Sequence, residues 1–191
     1  LESGNITSTT AYYERETEEF EEEHTFLDFI YGAAVGLPIF PIESTLSTTS
    51  EYENLSHETR FTSSFEGSWN FVVGIFYADN EFTRGYPPAL QPGVNDALNE
   101  AAGGPANVVP GDLIFVTDQP EDVEELAIYG EVTWDVTDSL ALTAGGRWYD
   151  TEVDFVSESD GFANGGPSRF SGSQSESGFN PKIMASLDVN D

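Results

Sequence analysis

The sequence predicts an all-β, antiparallel transmembrane β-barrel, present as about six consecutive strands of a larger barrel with long extracellular loops. Three observations predict it. Segments alternate apolar and polar residues at period two, connections alternate between short and long, and aromatic residues mark both ends of the apolar faces.

An opening strand is expected from about Asn5 to Arg15, where Ser and Thr on both faces leave its orientation open. A long connection follows, roughly Glu16 to Thr49. The clearest unit is the hairpin Leu55 to Tyr77. Before Gly67, Leu55, His57, Thr59, Phe61, Ser63 and Phe65 share one face; Ser56, Glu58, Arg60, Thr62 and Ser64 share the other. After the Glu66-Gly67-Ser68 turn, Trp69, Phe71, Val73, Ile75 and Tyr77 line up at period two. A second long connection, Gly85 to Pro120, holds a short helix expected over Asn95 to Ala102.

The second hairpin repeats the plan. Leu126, Ile128, Gly130, Val132 and Trp134 face one way, with Ala127, Tyr129, Glu131 and Thr133 opposite. Thr137-Asp138-Ser139 supplies turn chemistry, because short Asp and Ser side chains bond back to the local backbone. Leu140, Leu142, Ala144, Gly146 and Trp148 continue one face, with Thr143, Arg147 and Tyr149 opposite. A Gly/Ser-rich stretch near Ser157 to Ser173 leads to a last strand, Phe179 to Leu187. Short turns at one end and long loops at the other describe an outer-membrane barrel, turns in the periplasm and loops outside. Trp69 and Tyr77, eight positions apart on one face, span roughly 20 Å of height at a ~40° tilt, close to the ~25 Å apolar band between aromatic girdles. Composition taken alone favours core aromatics of a soluble β-domain; the connection pattern reverses the preference to the barrel.

Charge narrows the function. Six basic against 35 acidic residues give a formal net charge of −29, which excludes a nucleic-acid binder. The acidic excess is uneven: glutamate crowds the stretch Glu14 to Glu23, whereas Phe71 to Ala78 carries no charge. Such segments suggest solvated loops, a saline environment or a cation-rich surface. There is no cysteine, hence no thiolate metal site, and no run long enough for a membrane-spanning helix. A membrane protein of this composition must cross with strands.

The residues also carry a family resemblance. The run Ser56-His-Glu-Thr-Arg-Phe-Thr-Ser63, followed by Gly67-Ser-Trp-Asn-Phe-Val-Val-Gly-Ile-Phe-Tyr77, resembles the barrel of TonB-dependent receptors. Leu126 to Tyr149, with its Tyr-Gly-Glu strand, Val-Thr-Asp-Ser-Leu turn and Thr-Ala-Gly-Gly-Arg-Trp-Tyr climb, resembles it more closely still. Gly178-Phe-Asn-Pro-Lys182 and Asn5 to Tyr12 resemble further strands of the same barrel. The resemblance implies residues 1–191 as part of a receptor barrel of the 22-strand type, the plug domain and C-terminal strands lying outside it. It implies a non-enzymatic receptor of the bacterial outer membrane, without a cofactor, that imports a scarce nutrient with energy relayed by TonB through the plug. Ferric siderophore is the commonest ligand class; cobalamin, haem and oligosaccharide stay open. The rival readings are a passive porin and a secreted acidic β-sandwich adhesin.

Candidate site residues follow from the scarcity of cations. Arg60 and Arg147 fall opposite the apolar residues and should face the lumen, where a guanidinium fork suits the oxygens of an anionic iron chelate. The competing role is a lumen salt bridge, for instance Arg60 with Glu58 or Glu131. Arg84 and Tyr86, at the base of a long loop, are candidates of the same kind. His24 beside Glu21-Glu22-Glu23 fits a solvated acidic loop better than a metal site. Asp150, Glu152 and Asp154 fit a polar lumen or rim face better than a calcium site. No catalytic constellation is found.

Overall fold

The computed structural model describes residues 3–22, 45–101, 103, 104, 107 and 109–189. Six strands form one antiparallel sheet in chain order: β1 (Gly4–Glu22), β2 (Thr45–Ser63), β3 (Trp69–Leu90), β4 (Leu113–Thr137), β5 (Leu140–Asp160) and β6 (Ser168–Leu187). The β2–β3 and β4–β5 turns lie at the same end as the start of β1. Near them Trp69 stacks on Trp134, ring centroids 5.2 Å apart and planes within 1°. This end carries the lower aromatic girdle.

The expected strands are present, but they run longer than the hydropathy pattern indicates. Stretches expected as loop are strand: Glu16–Glu22 and Thr45–Thr49, Gly85–Leu90 and Leu113–Pro120, Ser157–Asp160 and Ser168–Ser173. The physical reason is that strands above the lipid band meet water on both faces. There the backbone ladder persists while the apolar–polar alternation disappears. Of the first long connection, residues 23–44 lie outside the described residues, and His24 with them. The helix expected over Asn95 to Ala102 is observed as α1 (Val94–Ala101). Pro87 and Pro88 interrupt the β3–β4 register between Tyr86 and Ala89, as residues that cannot donate to a ladder must.

Register separates two faces. On the outer face, the rows Trp69–Trp134–Leu142–Ala185, Phe71–Val132–Ala144–Ile183 and Ile75–Ile128–Trp148–Phe179 run across β3 to β6. These side chains project freely: Ile128 is 50% exposed and Ile183 90%. On the inner face side chains converge, and Ala127, Ala78 and Thr143 are buried. Small residues there make room for cross-strand rings. A Cβ on Gly74 would lie 2.4 Å from Tyr129 Cζ, so only glycine permits that ring to cross β3.

The one compact apolar cluster among the described residues sits at the loop end of the sheet, where the start of β4 supplies Ile114. Val94, Leu98, Val109 and Ile114 close on one another beneath α1, with Phe115, Phe162 and Ala163 packed around them. The β3–β4 connection is thereby fastened to the turn Phe162–Asn164 between β5 and β6. Asp112 secures the start of α1: the Gly93 and Asn95 amides donate to its two carboxylate oxygens, both at 2.9 Å. Those bonds favour the charged form and hold the carboxyl below the usual aspartate range. The stabilisation is therefore present above pH ~4 and lost as pH falls through the depressed folded-state value. Protection of the α1 amides, relative to their intrinsic exchange rates, should fall only in that acidic window, and Asp112→Ala should lower it at every pH.

Candidate functional site

The inner face collects the cations. Register puts Arg15, Arg60, Arg84, Arg147 and Lys182 on it, and leaves Arg169 on the outer face paired with Glu158. All four residues singled out from sequence thus share one face, but at two levels.

The deep level is the row Arg60–Gly74–Tyr129–Arg147–Asn180. Tyr129 lies across Gly74 and donates its hydroxyl to Glu58 Oε1 at 2.5 Å, with Arg60 also within its hydrogen-bonding reach. Arg147 pairs with Glu125, and its guanidinium carbon stands 5.8 Å from the centroid of Phe76. Lys182 reaches across Gly145 to Glu131 Oε2 at 2.6 Å. Arg147 and Lys182 thus each hold a carboxylate, Arg60 stands beside the Tyr129 hydroxyl, and the row is a polar wall.

The upper level forms the mouth. Arg84 lies ten positions above Gly74 on β3, roughly 33 Å along the strand. Its Nη2 donates to the Tyr86 hydroxyl at 3.4 Å, and its guanidinium carbon sits 5.8 Å from that ring's centroid. Tyr86 meets Phe115 edge-on at 5.1 Å between centroids. Nearby on β5 and β6, Phe155 and Phe170 pair at 5.3 Å, the Phe155 ring lying over Gly172. Sequence reasoning missed this second aromatic pair, since Phe170 fell within the Ser157 to Ser173 stretch, where no strand was expected. Lys182, on the inner face opposite Gly145, is a further cation of this wall that the sequence reading does not single out.

The outer surface above the apolar band is acidic. Glu14, Glu53, Glu81, Asp122 and Asp154 form one uninterrupted row across β1 to β5, and Asp79, Glu124 and Glu152 form the row beneath it. Asp79, Glu81, Asp122, Glu124, Glu152 and Asp154 line one open groove. The expectation of a lumen or rim face for Asp150, Glu152 and Asp154 resolves to the outward side of the rim. Directly opposed like charges destabilise a ladder by roughly 0.2 to 1 kcal/mol each. Asp122→Asn relieves two such pairs and should raise stability at low salt by about 1 kcal/mol; the gain should vanish in molar salt.

The comparisons with known proteins now decide the family. The "TonB dependent receptor-like, beta-barrel" family matches residues 3–191. The chain belongs to this family. It is a family of Gram-negative outer-membrane receptors and transporters rather than enzymes. The receptor barrel superimposes on the crystal structure of the ferric yersiniabactin uptake receptor FyuA from Yersinia pestis with a TM-score of 0.68 at 12% identity. That alignment covers 100% of this chain and 24% of FyuA, so the receptor barrel described here spans about a quarter of that protein's length. At this identity the likeness shows the fold. A comparison with curated proteins gives no match. The open sheet, with β1 and β6 at its edges, is the arrangement of consecutive strands within a larger closed wall.

Proposed function

We propose that the complete protein lies in the bacterial outer membrane and takes up an anionic ferric siderophore, with energy supplied by TonB. The observation that carries this reading is the distribution of charge. An outer surface dense in carboxylates encloses an inner face that holds nearly every cation of the segment. An anionic ligand, repelled at long range by the net charge, is held only where those cations converge with aromatic surface. The mouth provides this in Arg84 stacked on Tyr86, beside Phe115 and the Phe155–Phe170 pair. Arg60 and Arg147 continue the path inward, where an incoming chelate would exchange for their present partners Tyr129 and Glu125.

Uptake of a radiolabelled ferric chelate by cells carrying the full-length receptor tests the reading. Uptake is expected to need TonB; uptake undiminished without TonB would identify a passive pore instead. Two arginines divide the role further. Arg84→Ala, which removes an exposed cation bonded only to Tyr86 among the described contacts, should weaken chelate binding about tenfold to a hundredfold and leave heat stability unchanged. Arg147→Ala strands Glu125 and should lower stability as well as affinity. Unchanged affinity in both variants would remove these arginines from the binding path.

A further inference from the structure

The lipid-facing surface has one patch that does not suit lipid. On β3 to β6 the outer face between the girdles is apolar, whereas on β1 and β2 four polar residues occupy its middle: Ser8, Thr10, His57 and Thr59. They are adjacent in register, Ser8 opposite Thr59 and Thr10 opposite His57. Ile6 and Phe61 frame them below, Tyr12 and Leu55 above, and Ile75 and Tyr77 on β3 close one side. The strand ends place the patch at mid-depth. On β1, Ser8 lies four positions from Gly4 at the turn end and four from Tyr12, beyond which the acidic rows begin.

The four side chains form one hydrogen-bonded chain. Thr10 Oγ1 lies 2.8 Å from His57 Nδ1, His57 Nε2 lies 3.0 Å from Thr59 Oγ1, and Thr59 Oγ1 lies 2.9 Å from Ser8 Oγ. The chain gives each group a partner within a single barrel, yet three hydroxyls and an imidazole have more donor and acceptor capacity than these three hydrogen bonds use. Acyl chains offer nothing to the remainder, and an imidazole inside a membrane marks a functional surface with a specific partner.

We infer that this patch is an interface between two copies of the barrel in the membrane. The chemistry selects the occupant. Each hydroxyl both donates and accepts, and the imidazole offers one nitrogen of each kind, so the patch is complementary to itself across a two-fold axis. A partner bearing a fixed charge would carry that charge unpaired into hydrocarbon. The apolar frame of Ile6, Phe61, Tyr12 and Leu55 meets its own copy around the polar centre and seals it from lipid. The inference rests on the outer face meeting lipid and is independent of which nutrient the receptor carries.

The test is cysteine cross-linking of the full-length receptor in native membranes, with Ser8→Cys as probe and Ile128→Cys and Ile183→Cys as lipid-facing controls. No cysteine occurs in this segment, so each probe is single within it. Mild oxidation is expected to give a disulfide-linked species of twice the receptor mass from the Ser8 variant, at least several-fold above either control. Dimer no more abundant than in the controls, or an adduct of another mass, overturns the inference. A triple variant, Thr10→Val with His57→Leu and Thr59→Val, should still insert and show heat-modifiable mobility but sediment as a monomer in mild detergent. A wild type that is already monomeric there, while still binding its chelate, removes the interface and leaves the transport reading intact.

Discussion

Arginine in place of Val73 should destabilise the full-length receptor in a bilayer by about 2 to 4 kcal/mol, the cost of a cation on the lipid face near the midplane. Val73 is 45% exposed on the outer face, in the row Phe61–Val73–Gly130–Gly146, with no acidic neighbour within that row. The same substitution at Asn180, exposed on the inner face, should cost no more than about 1 kcal/mol, the repulsion from Arg147 directly opposite it. Thr133 is less suitable as a neutral control than its polarity indicates. Its hydroxyl lies 2.9 Å from that of Thr143, which is only 3% exposed, so a bulky residue there disrupts packing for reasons unrelated to lipid. Denaturant titration of the two variants gives the comparison directly. Equal losses at Val73 and Asn180 would describe a sheet buried on both faces.

The second large effect concerns the segment by itself. Expressed alone in water, residues 1–191 should not give a cooperative monomeric fold. Strands β1 and β6 present unpaired edges, and only closure removes edges from a barrel. The outer face exposes Trp69, Trp134, Trp148, Phe179, Ile75, Ile128 and Ile183 together, a contiguous surface beyond the few hundred Å² that soluble monomers tolerate. Inner-face ion pairs and aromatic contacts do not form an enclosed core, because the compact cluster under α1 lies at one end of the sheet, where the β3–β4 connection packs on the start of β4. Light scattering should show association in buffer and dispersal in detergent. A sharp, reversible melt of a monomer without detergent would instead support a soluble sandwich.

How far the sequence determines these features differs by level. Within the bilayer, lipid on one side and polar lumen on the other impose strict alternation, so the faces of β3, β4 and β5 could be assigned from Trp69, Trp134 and Trp148 onward. Above the bilayer that constraint ends. Glu16–Glu22 continues the ladder with polar residues on both faces except at Phe20, and Leu113–Pro120 opens on four consecutive apolar residues, so neither stretch shows the alternation that marks a strand. The same reasoning applies to the site. Parity placed Arg60 and Arg147 in the lumen, yet their partners depend on register, which alternation does not give. Arg147 meets Glu125, and Glu58 meets Tyr129 rather than Arg60 alone, because β2, β3 and β4 align at one offset. Gly74 shows the limit most clearly. In the sequence it is one glycine in an apolar run, while in the sheet it is the gap through which Tyr129 reaches β2.

In the barrel wall the odd-numbered face of β3 meets hydrocarbon and the even-numbered face meets water. Nitroxide labels placed singly at each position from 69 to 77 except Gly74, where Tyr129 leaves no room, in the full-length receptor reconstituted in lipid vesicles, measure this directly through relaxation by oxygen and by a water-soluble nickel complex. The structure predicts a strict period of two. Oxygen should dominate at 71, 73 and 75 and the nickel complex at 72 and 76, with the preference for oxygen peaking near 73. Uniform accessibility along the strand, or the nickel complex reaching both faces equally, would contradict the barrel wall described here.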